Sequence, residues 1–485
     1  MAVDKLVDST VLDGYFSDIA TAIRGKNGSS DAYTPAQMPQ AITDIPSGGG
    51  GGPVEEKDVN FIDYDGSIVY SYTAEEFLEL SALPDNPTHT GLTAQGWNWT
   101  IQEAKNYVTK CGILVVGQHY ITDSGDTRIY ITLQPNNLNI LLGLAIQGSV
   151  YINWGDGTNE TITGTSTTTV IYTPHSYSNA GDYVICITVN SGSEVHIRGG
   201  SRSNLIAKNN DNNSNENYAY RNSITKMEIG QNVYLGQYAF AYCYNLRSIT
   251  IPATLQFTND YYASFFSNCY SLTGLVIPRV TTLNMFICSM CYNLKYISIS
   301  PTVTSIYGSI VQGSGVRILT MPDITYLGSG FTSAYSLTRC SFSSMPASLA
   351  NIAINNAYSL KEFDLTVGSI TQLPGSFFYN DNSLTKVLLP DTLTSIAANV
   401  FYNCYCLTQI TIPENVASIG TQAFANCYGL TEIHFKPTTP PTLPHSNVFA
   451  NLPSSCVIYV PRGYLNEYIY ATNYPLDSTY TYIEE

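Results

Sequence analysis

Six histidines, at positions 89, 119, 175, 196, 434 and 445, are the side chains best suited to move protons near neutral pH. They are scattered along the chain. None stands in a defensible order with Ser and Asp for nucleophilic catalysis, and none belongs to a two-His helical zinc motif. Cys288-x-x-Cys291 has the spacing of half a zinc knuckle, but no second pair follows it. Asp156, in Tyr151-Ile-Asn-Trp-Gly-Asp-Gly-Thr158, has the type of a metal ligand or a general acid. The flanking Gly155 and Gly157 are turn residues, so capping a turn is the plainer role for Asp156. Paired carboxylates for sugar hydrolysis need a fixed separation, and the acids of the C-terminal half are sparse and share no spacing. No catalytic residue, metal site or cofactor is therefore assigned, and a carbohydrate-active enzyme is the third-ranked function. The side chain that does recur at fixed spacing is tyrosine, and the elements that space it are a repeat.

A chain of 485 residues has room for two to four domains. Only 12% of it is charged, while Tyr reaches 38 copies. The net charge of −16 is uneven: residues 1–222 hold 24 acids and 11 bases, residues 223–485 hold 13 and 10. An acidic front and a near-neutral back lack the basic patch that a phosphate backbone requires, so nucleic acid is not an expected partner. The longest apolar runs, Ile113 to Val116 and Ile140 to Ile146, are too short to span a bilayer, and the start carries no secretory signal. The eleven Cys residues are odd in number, which with no signal points to reduced thiols.

From residue 240 a unit recurs that reads roughly aFxNCYxLTxIxIP. Its anchor falls at Leu246, Leu272, Leu294, Val316, Leu337, Leu360, Leu384, Leu407 and Leu430, 184 residues in eight steps and a mean of 23. Six residues before the anchor stands Phe or another apolar residue, and three before it stands Cys243, Cys269, Cys291, Cys404 or Cys427. Alternation after the anchor, as in Leu407-Thr-Gln-Ile-Thr-Ile-Pro413, marks a short strand with one buried face, ended by a proline. One unit cannot bury that face by itself, so neighbours must stack. Nine coils at a strand spacing of about 4.8 Å make a rod roughly 40–45 Å long. Seven of the nine units carry Tyr two residues before the anchor: Tyr244, Tyr270, Tyr292, Tyr335, Tyr358, Tyr405 and Tyr428. Stacking turns the shared phase into a column. Such a column is a self-packing ladder, a recognition strip or both, since Tyr offers large contact area at low entropic cost. Tyr261 and Tyr262, in the longest unit, have no repeat phase and are added as contact candidates.

The repeat resembles the BspA-type leucine-rich repeat, over about 223–485, with an end cap expected at 437–485. The string Trp154-Gly-Asp-Gly-Thr158, with Ala180-Gly-Asp-Tyr183-Val, resembles a PKD-type β-sandwich, expected over 121–200. Ile19-Ala-Thr-Ala-Ile-Arg-Gly-Lys-Asn-Gly28, with Ala36 to Ile42, resembles a segment of bacteriophage tail proteins, and its apolar spacing predicts two short helices within 1–46. Residues 58–107 resemble a module found beside that segment in phages of gut bacteria. The fold expected is thus mainly β and multidomain. In order come a helical attachment segment (1–46), a Gly-rich linker (47–57), a small α/β spacer (58–120), an Ig- or PKD-like sandwich (121–200), a polar linker (201–222), a solenoid of about nine coils (223–436) and a cap (437–485). Residues 223–485 are expected to fold alone. The resemblances imply a non-enzymatic virion protein, a tail fibre or receptor-binding appendage. Residues 1–46 would join it to tail or baseplate proteins, and the solenoid would bind a host surface glycan or protein without membrane insertion. A homo-oligomer stays open. The runner-up is a bacterial BspA-type surface adhesin.

Overall fold

The computed structural model describes residues 54–485, less 200–202, 204, 209–217, 259–263, 284–285, 329–330, 347, 350–351 and 476–479. The helices expected in 1–46 and most of the glycine linker lie outside the described residues.

The chain is mainly β, and its C-terminal half is a solenoid of about eleven turns. Each turn contributes a short front strand, from Ile224–Glu228 through Ser248–Thr250, Gly274–Val276 and onward to Gln409–Ile412 and Glu432–Phe435. Most neighbouring front strands pair in parallel with no offset, for example Ile410 with Ile433, and the ladder is interrupted between some turns, as after Arg339–Ser344. A second set of two-residue strands, such as Ser395–Ile396 and Ser418–Ile419, forms a parallel ladder on the return side. The nine expected coils are present, and one turn is added at each end. Ile224–Glu228 precedes them and Val457–Val460 follows; the register puts Ile224 at the anchor of the first turn, with neither Phe nor Cys ahead of it, and Ser455 at the anchor of the last.

The phases explain the packing. All nine anchors are buried, as are Phe240, Phe266, Phe378, Phe401 and Phe424 six residues earlier. Phe378, Phe401, Phe424 and Phe449 stack in one column at 5.1–5.7 Å. Four of the phase cysteines, Cys269, Cys291, Cys404 and Cys427, donate their thiol protons to a phenylalanine carbonyl of the preceding turn at 3.0–3.2 Å. Burial pushes the Cys291 and Cys427 thiols up to about 12, so they act as small apolar residues with one weak donor. The residue four before the anchor takes the left-handed conformation, with φ of 62–63° at Asn268, Asn380, Asn403 and Asn426. Asparagine tolerates that region. Asn380, Asn403, Asn426 and Asn451 each donate to the asparagine of the preceding turn at 2.7–3.1 Å, a ladder that begins on Asn356.

Ahead of the solenoid, β1 (Val59–Ile62), β2 (Ile68–Tyr72), β3 (Leu92–Trp97) and β4 (Leu114–Thr122) form a sheet in the order β2-β1-β4-β3. Two helices, α1 (Ala74–Leu78) and α2 (Ile101–Cys111), each start from a Thr–Glu capping box, Thr73 with Glu76 and Thr100 with Glu103. The helices cover one face of this sheet. Its other face lies on the solenoid, where Ile62, Ile113 and Val115 pack against Val276, Tyr296 and Ile318 of three consecutive front strands. This corrects the spacer role expected for 58–120. The run Ile113 to Val116 is apolar throughout because β4 is covered on both faces, Leu114 and Val116 toward the helices and Ile113 and Val115 toward the solenoid. Gly117 is required for the approach, since a Cβ there would lie 2.6 Å from a Val276 methyl. Asn98 and Trp99 donate to Ser298 and Ile299 across the contact at 2.9 and 3.0 Å. Three arginines of the solenoid pair with acids of this module: Arg279 with Glu103, Arg317 with Glu56 and Arg339 with Asp58.

The β-module that follows contains β5 (Thr127–Leu133), β6 (Asn139–Asn153), β7 (Asn159–Ser176), β8 (Gly181–Val189), β9 (Glu194–Ile197) and β10 (Ile206–Ala207). Its sheet runs on into the solenoid at both edges. β5 pairs antiparallel with the first front strand, Ile224–Glu228, and β9 pairs parallel with the first return strand, Val233–Leu235. One continuous hydrophobic core extends from Ile129 to Tyr474. The polar linker expected at 201–222 is corrected where it is described: Leu205, Ile206 and Ala207 are buried, and β10 pairs with β6. The expectation that residues 223–485 fold alone is corrected for the same reason, because the first turn borrows both of its edge partners from β5 and β9. At the far end Val457–Val460, a helix at Leu465–Ile469 and the strand Thr481–Glu484 close the rod.

A chain of residues 54–485 is expected to stay soluble, whereas one starting at 223 bares the end of the core and should aggregate in size-exclusion chromatography. A soluble 223–485 fragment with the full-length melting temperature would contradict this. A second expectation concerns Asp381, which occupies the cysteine phase and is fully buried. Its Oδ1 accepts from the Ala357 N–H at 2.8 Å and Oδ2 has no partner. Burial holds its carboxyl well above the usual range, so it folds neutral. The stability it contributes is complete below the unfolded-state pKa and falls as pH rises towards the folded one. Asp381→Cys should therefore stabilise by roughly 1 kcal/mol or more at pH 8, with little gain at pH 4, in denaturant titrations.

Candidate functional site

The tyrosine phase sits directly after the left-handed residue and the buried Cys phase, at the corner leading into the front strand. The left-handed residue recurs at that corner, and from Asn356 onward the asparagine ladder ties the backbone there, so successive tyrosine rings are set one turn apart. Tyr244, Tyr270 and Tyr292 form a continuous column, with ring centroids 4.4 and 5.0 Å apart, the first pair stacked and the second tilted by 38°. Tyr335 and Tyr358 stack at 5.5 Å, and Tyr405 and Tyr428 at 5.4 Å. All seven phase tyrosines therefore lie against another ring of the phase, but the column is interrupted twice. Ser314 and Asn382 hold the phase in the turns between these groups and supply no ring. Tyr292, Tyr335, Tyr358, Tyr405 and Tyr428 are 39–57% exposed, so each group offers an open ring face or edge. The hydroxyls of Tyr358 and Tyr428 bend back to Asn356 and Asn426 at 3.4 Å, long contacts that leave them able to bond elsewhere. The Tyr270 hydroxyl is pushed up to about 12, first by burial and then by neighbouring Tyr244. Tyr261 and Tyr262 lie outside the described residues.

Two further ring pairs escaped the sequence reading because they stand at other phases. Tyr379 and Tyr402, five residues before their anchors, stack at 5.1 Å within 5° of parallel. Tyr307 and Tyr326 meet at 4.8 Å on the return side with their rings tilted by 43°, 42% and 47% exposed. The signal for the first was available, since 379 and 402 are 23 residues apart. The second shows only after the return strands are aligned.

The residues first weighed for chemistry are held in structural roles. Cys291 donates to the preceding turn and Cys288 to Ile310 of the following one, at 3.0 and 2.6 Å. Asp156 accepts from the Thr158 N–H and hydroxyl through Oδ1, and Oδ2 lies 2.8 Å from His175 Nε2. Burial works to raise the Asp156 carboxyl, but the bonds from Thr158 and His175 prevail and hold it at about 2. His175 in turn lies flat on buried Trp154, centroids 4.2 Å apart. Among the described residues no group of three or more His, Cys, Asp or Glu is placed to hold a metal ion, and no helix is long and apolar enough to cross a membrane. What this corner of the surface offers is a set of aromatic faces beside neutral amides and hydroxyls, suited to stacking and hydrogen bonding.

The BspA type leucine rich repeat region matches in six copies over residues 212–331, 261–383 and 328–455, together 212–455, which is half of the chain. No curated protein matches. Among solved structures, a leucine-rich repeat protein from Bacteroides ovatus is 22% identical, with a TM-score of 0.41 over 54% of this chain and 66% of that one. The chain thus covers just under two thirds of that protein's length. A leucine rich cell surface protein from Faecalibacterium prausnitzii is 16% identical over 58% and 95%, with a TM-score of 0.28. The pneumococcal vaccine antigen PcpA is 15% identical over 54% and 79%, with a TM-score of 0.29.

If the tyrosines pack as well as face outward, the middle of the triplet matters most. Tyr270→Ala removes two ring contacts and should cost about 1–3 kcal/mol in chemical denaturation, against about 0.5–1.5 kcal/mol for Tyr428→Ala at the end of a pair. Equal costs would mean that the stacking contributes nothing to stability.

Proposed function

From the premise that the chain belongs to the BspA-type leucine-rich-repeat family, we propose that it is a non-enzymatic adhesion protein whose tyrosine column binds a glycan or protein on a bacterial surface. We assign it to a virion, as a tail fibre or other receptor-binding appendage of a phage of gut bacteria. In this reading residues 1–46 join it to tail or baseplate proteins. The observation that carries the binding role is the run of half-exposed rings, Tyr292, Tyr335, Tyr358, Tyr405 and Tyr428, repeated on one corner of a rigid rod. An array of identical faces at a fixed repeat suits a partner that is itself repetitive, because each added contact raises the effective affinity of the next. Residues 223–485 carry 13 acids against 10 bases, so the contacts are dominated by stacking and neutral hydrogen bonds. The virion assignment is supported by the likeness of Ile19 to Gly28 and Ala36 to Ile42 to tail-protein segments. The PKD-like string around Trp154 fits a structural role in front of the repeats.

Two measurements test this reading. Purified chain should bind intact cells from a panel of gut bacteria with affinity that changes little between low and high salt. Tyr405→Ala with Tyr428→Ala should weaken that binding roughly tenfold without loss of fold. Binding that collapses in salt, or that survives the double substitution in a folded chain, would remove the column from recognition. Mass spectrometry of purified phage particles should find the chain, and a version lacking residues 1–46 should bind cells but fail to join particles. Recovery from a bacterial envelope instead would favour the surface-adhesin reading.

A further inference from the structure

A cavity of about 690 Å³ opens between the module of residues 54–120 and the solenoid, where the front sheet steps from Arg339–Ser344 to Glu362–Asp364. Its volume lies in the range that holds a small organic ligand. Its charge departs from that of the molecule around it. Residues 223–485 have ten basic side chains, and four of them, Arg317, Arg339, Lys361 and Lys386, line this one cavity, with Lys110 of α2 on the opposite wall.

Not all of that charge is free. The Arg317 and Arg339 guanidinium groups are taken up by Glu56 and Asp58 at 3.1 and 3.0 Å. Lys110, Lys361 and Lys386 are exposed and form no ion pair among the described residues. Of the acids at the rim, Glu56 serves Arg317, and Asp364 is capped by the N–H and hydroxyl of Thr366. Glu362 lies beside Lys386 in the strand register without closing a salt bridge. Three unpaired ammonium groups thus face two carboxylates, Glu362 and Asp364, that no cation pairs, and the balance stays positive. The remaining wall mixes the hydroxyl residues Thr338 and Ser341 with the apolar surface of Val367 and of Leu388, which is 41% exposed.

We propose that this cavity is a binding site for an oligosaccharide that carries carboxylates. The chemistry selects that class. The planar forks that would grip an anion bidentately are already occupied here, which leaves lysine point charges to pair with a singly charged carboxylate. Hydroxyls and a free carboxylate suit sugar hydroxyls, and the exposed aliphatic patch suits a ring face. A long polyanion such as nucleic acid is repelled by a molecule of net charge −16. The site goes beyond the tyrosine reading and stands apart from it. It lies on the front sheet and is electrostatic, so its occupancy must fall with salt, where the column's does not.

The test uses the full chain with three purified probes in isothermal titration at low and high salt: tri-galacturonate, neutral maltotriose and a tri-glutamate peptide. Tri-galacturonate should bind, more weakly as salt rises, and better than either of the others. Lys361→Ala with Lys386→Ala should weaken it roughly tenfold at unchanged melting temperature. Lys110→Ala, on the other wall, gives an independent readout should the double variant fold poorly. Absence of tri-galacturonate binding, equal binding of maltotriose or tri-glutamate, or lysine variants that bind as the parent does would each overturn the proposal. None of these results bears on cell binding through the tyrosines, which is read with whole cells.

Discussion

A turn of about 23 residues has too few side chains to enclose its own apolar ones, so every turn of this solenoid is stable only against its neighbours. Leucine anchors, phenylalanine columns and cysteine thiols that reach back one turn all serve that single requirement. The requirement also fixes what happens at the ends. A stack has two unfinished faces, and the chain closes them differently. The last turns are covered by their own C-terminal strands and a short helix. The first turn is completed by β5 on the front and β9 on the return side, so that a module of different sequence character becomes part of the same core.

The same logic accounts for the module clasped across the front sheet. In turns that face solvent, the outward positions of the front strand are mostly polar, as at Gln409 and Thr411, with Leu388 at the cavity an exception. In the covered turns they are Val276, Tyr296 and Ile318. These three break the alternation of the repeat, and the break is visible in the sequence once the inward and outward phases are separated. The three arginines of the covered turns pair with Glu56, Asp58 and Glu103, so part of the charge imbalance between the two halves is met inside the molecule.

The repeat, its buried phases and the tyrosine column were legible because each is written several times at one spacing. Periodicity averages away the accidents of single positions. What was not legible is what occurs once. The last turn has Ser455 at its anchor, and the first has Ile224 there but Tyr218 and Arg221 in place of the Phe and Cys ahead of it, so only nine turns carry the signature. The docking of residues 54–120 depends on contacts between positions about 200 apart, such as Asn98 with Ser298, and no local pattern encodes a separation of that kind. The lysine-lined cavity is hidden for the same reason, since Lys110, Lys361 and Lys386 acquire a shared wall only after the fold is made. The stacking of Tyr379 on Tyr402 is written in the sequence only as a single 23-residue step, at a phase that no other turn fills with tyrosine.

The clasp across the front strands has a mechanical meaning. A solenoid stretched along its axis yields by parting one turn from the next, and each step breaks only a few parallel hydrogen bonds. Here Ile62, Ile113 and Val115 bear on three successive strands at once, and the arginine pairs tie the same stretch at Arg279, Arg317 and Arg339. Those turns cannot separate singly; the module must be sheared off first. Under tension the central rod is therefore splinted from one side, and extension begins in the uncovered turns beyond Leu360.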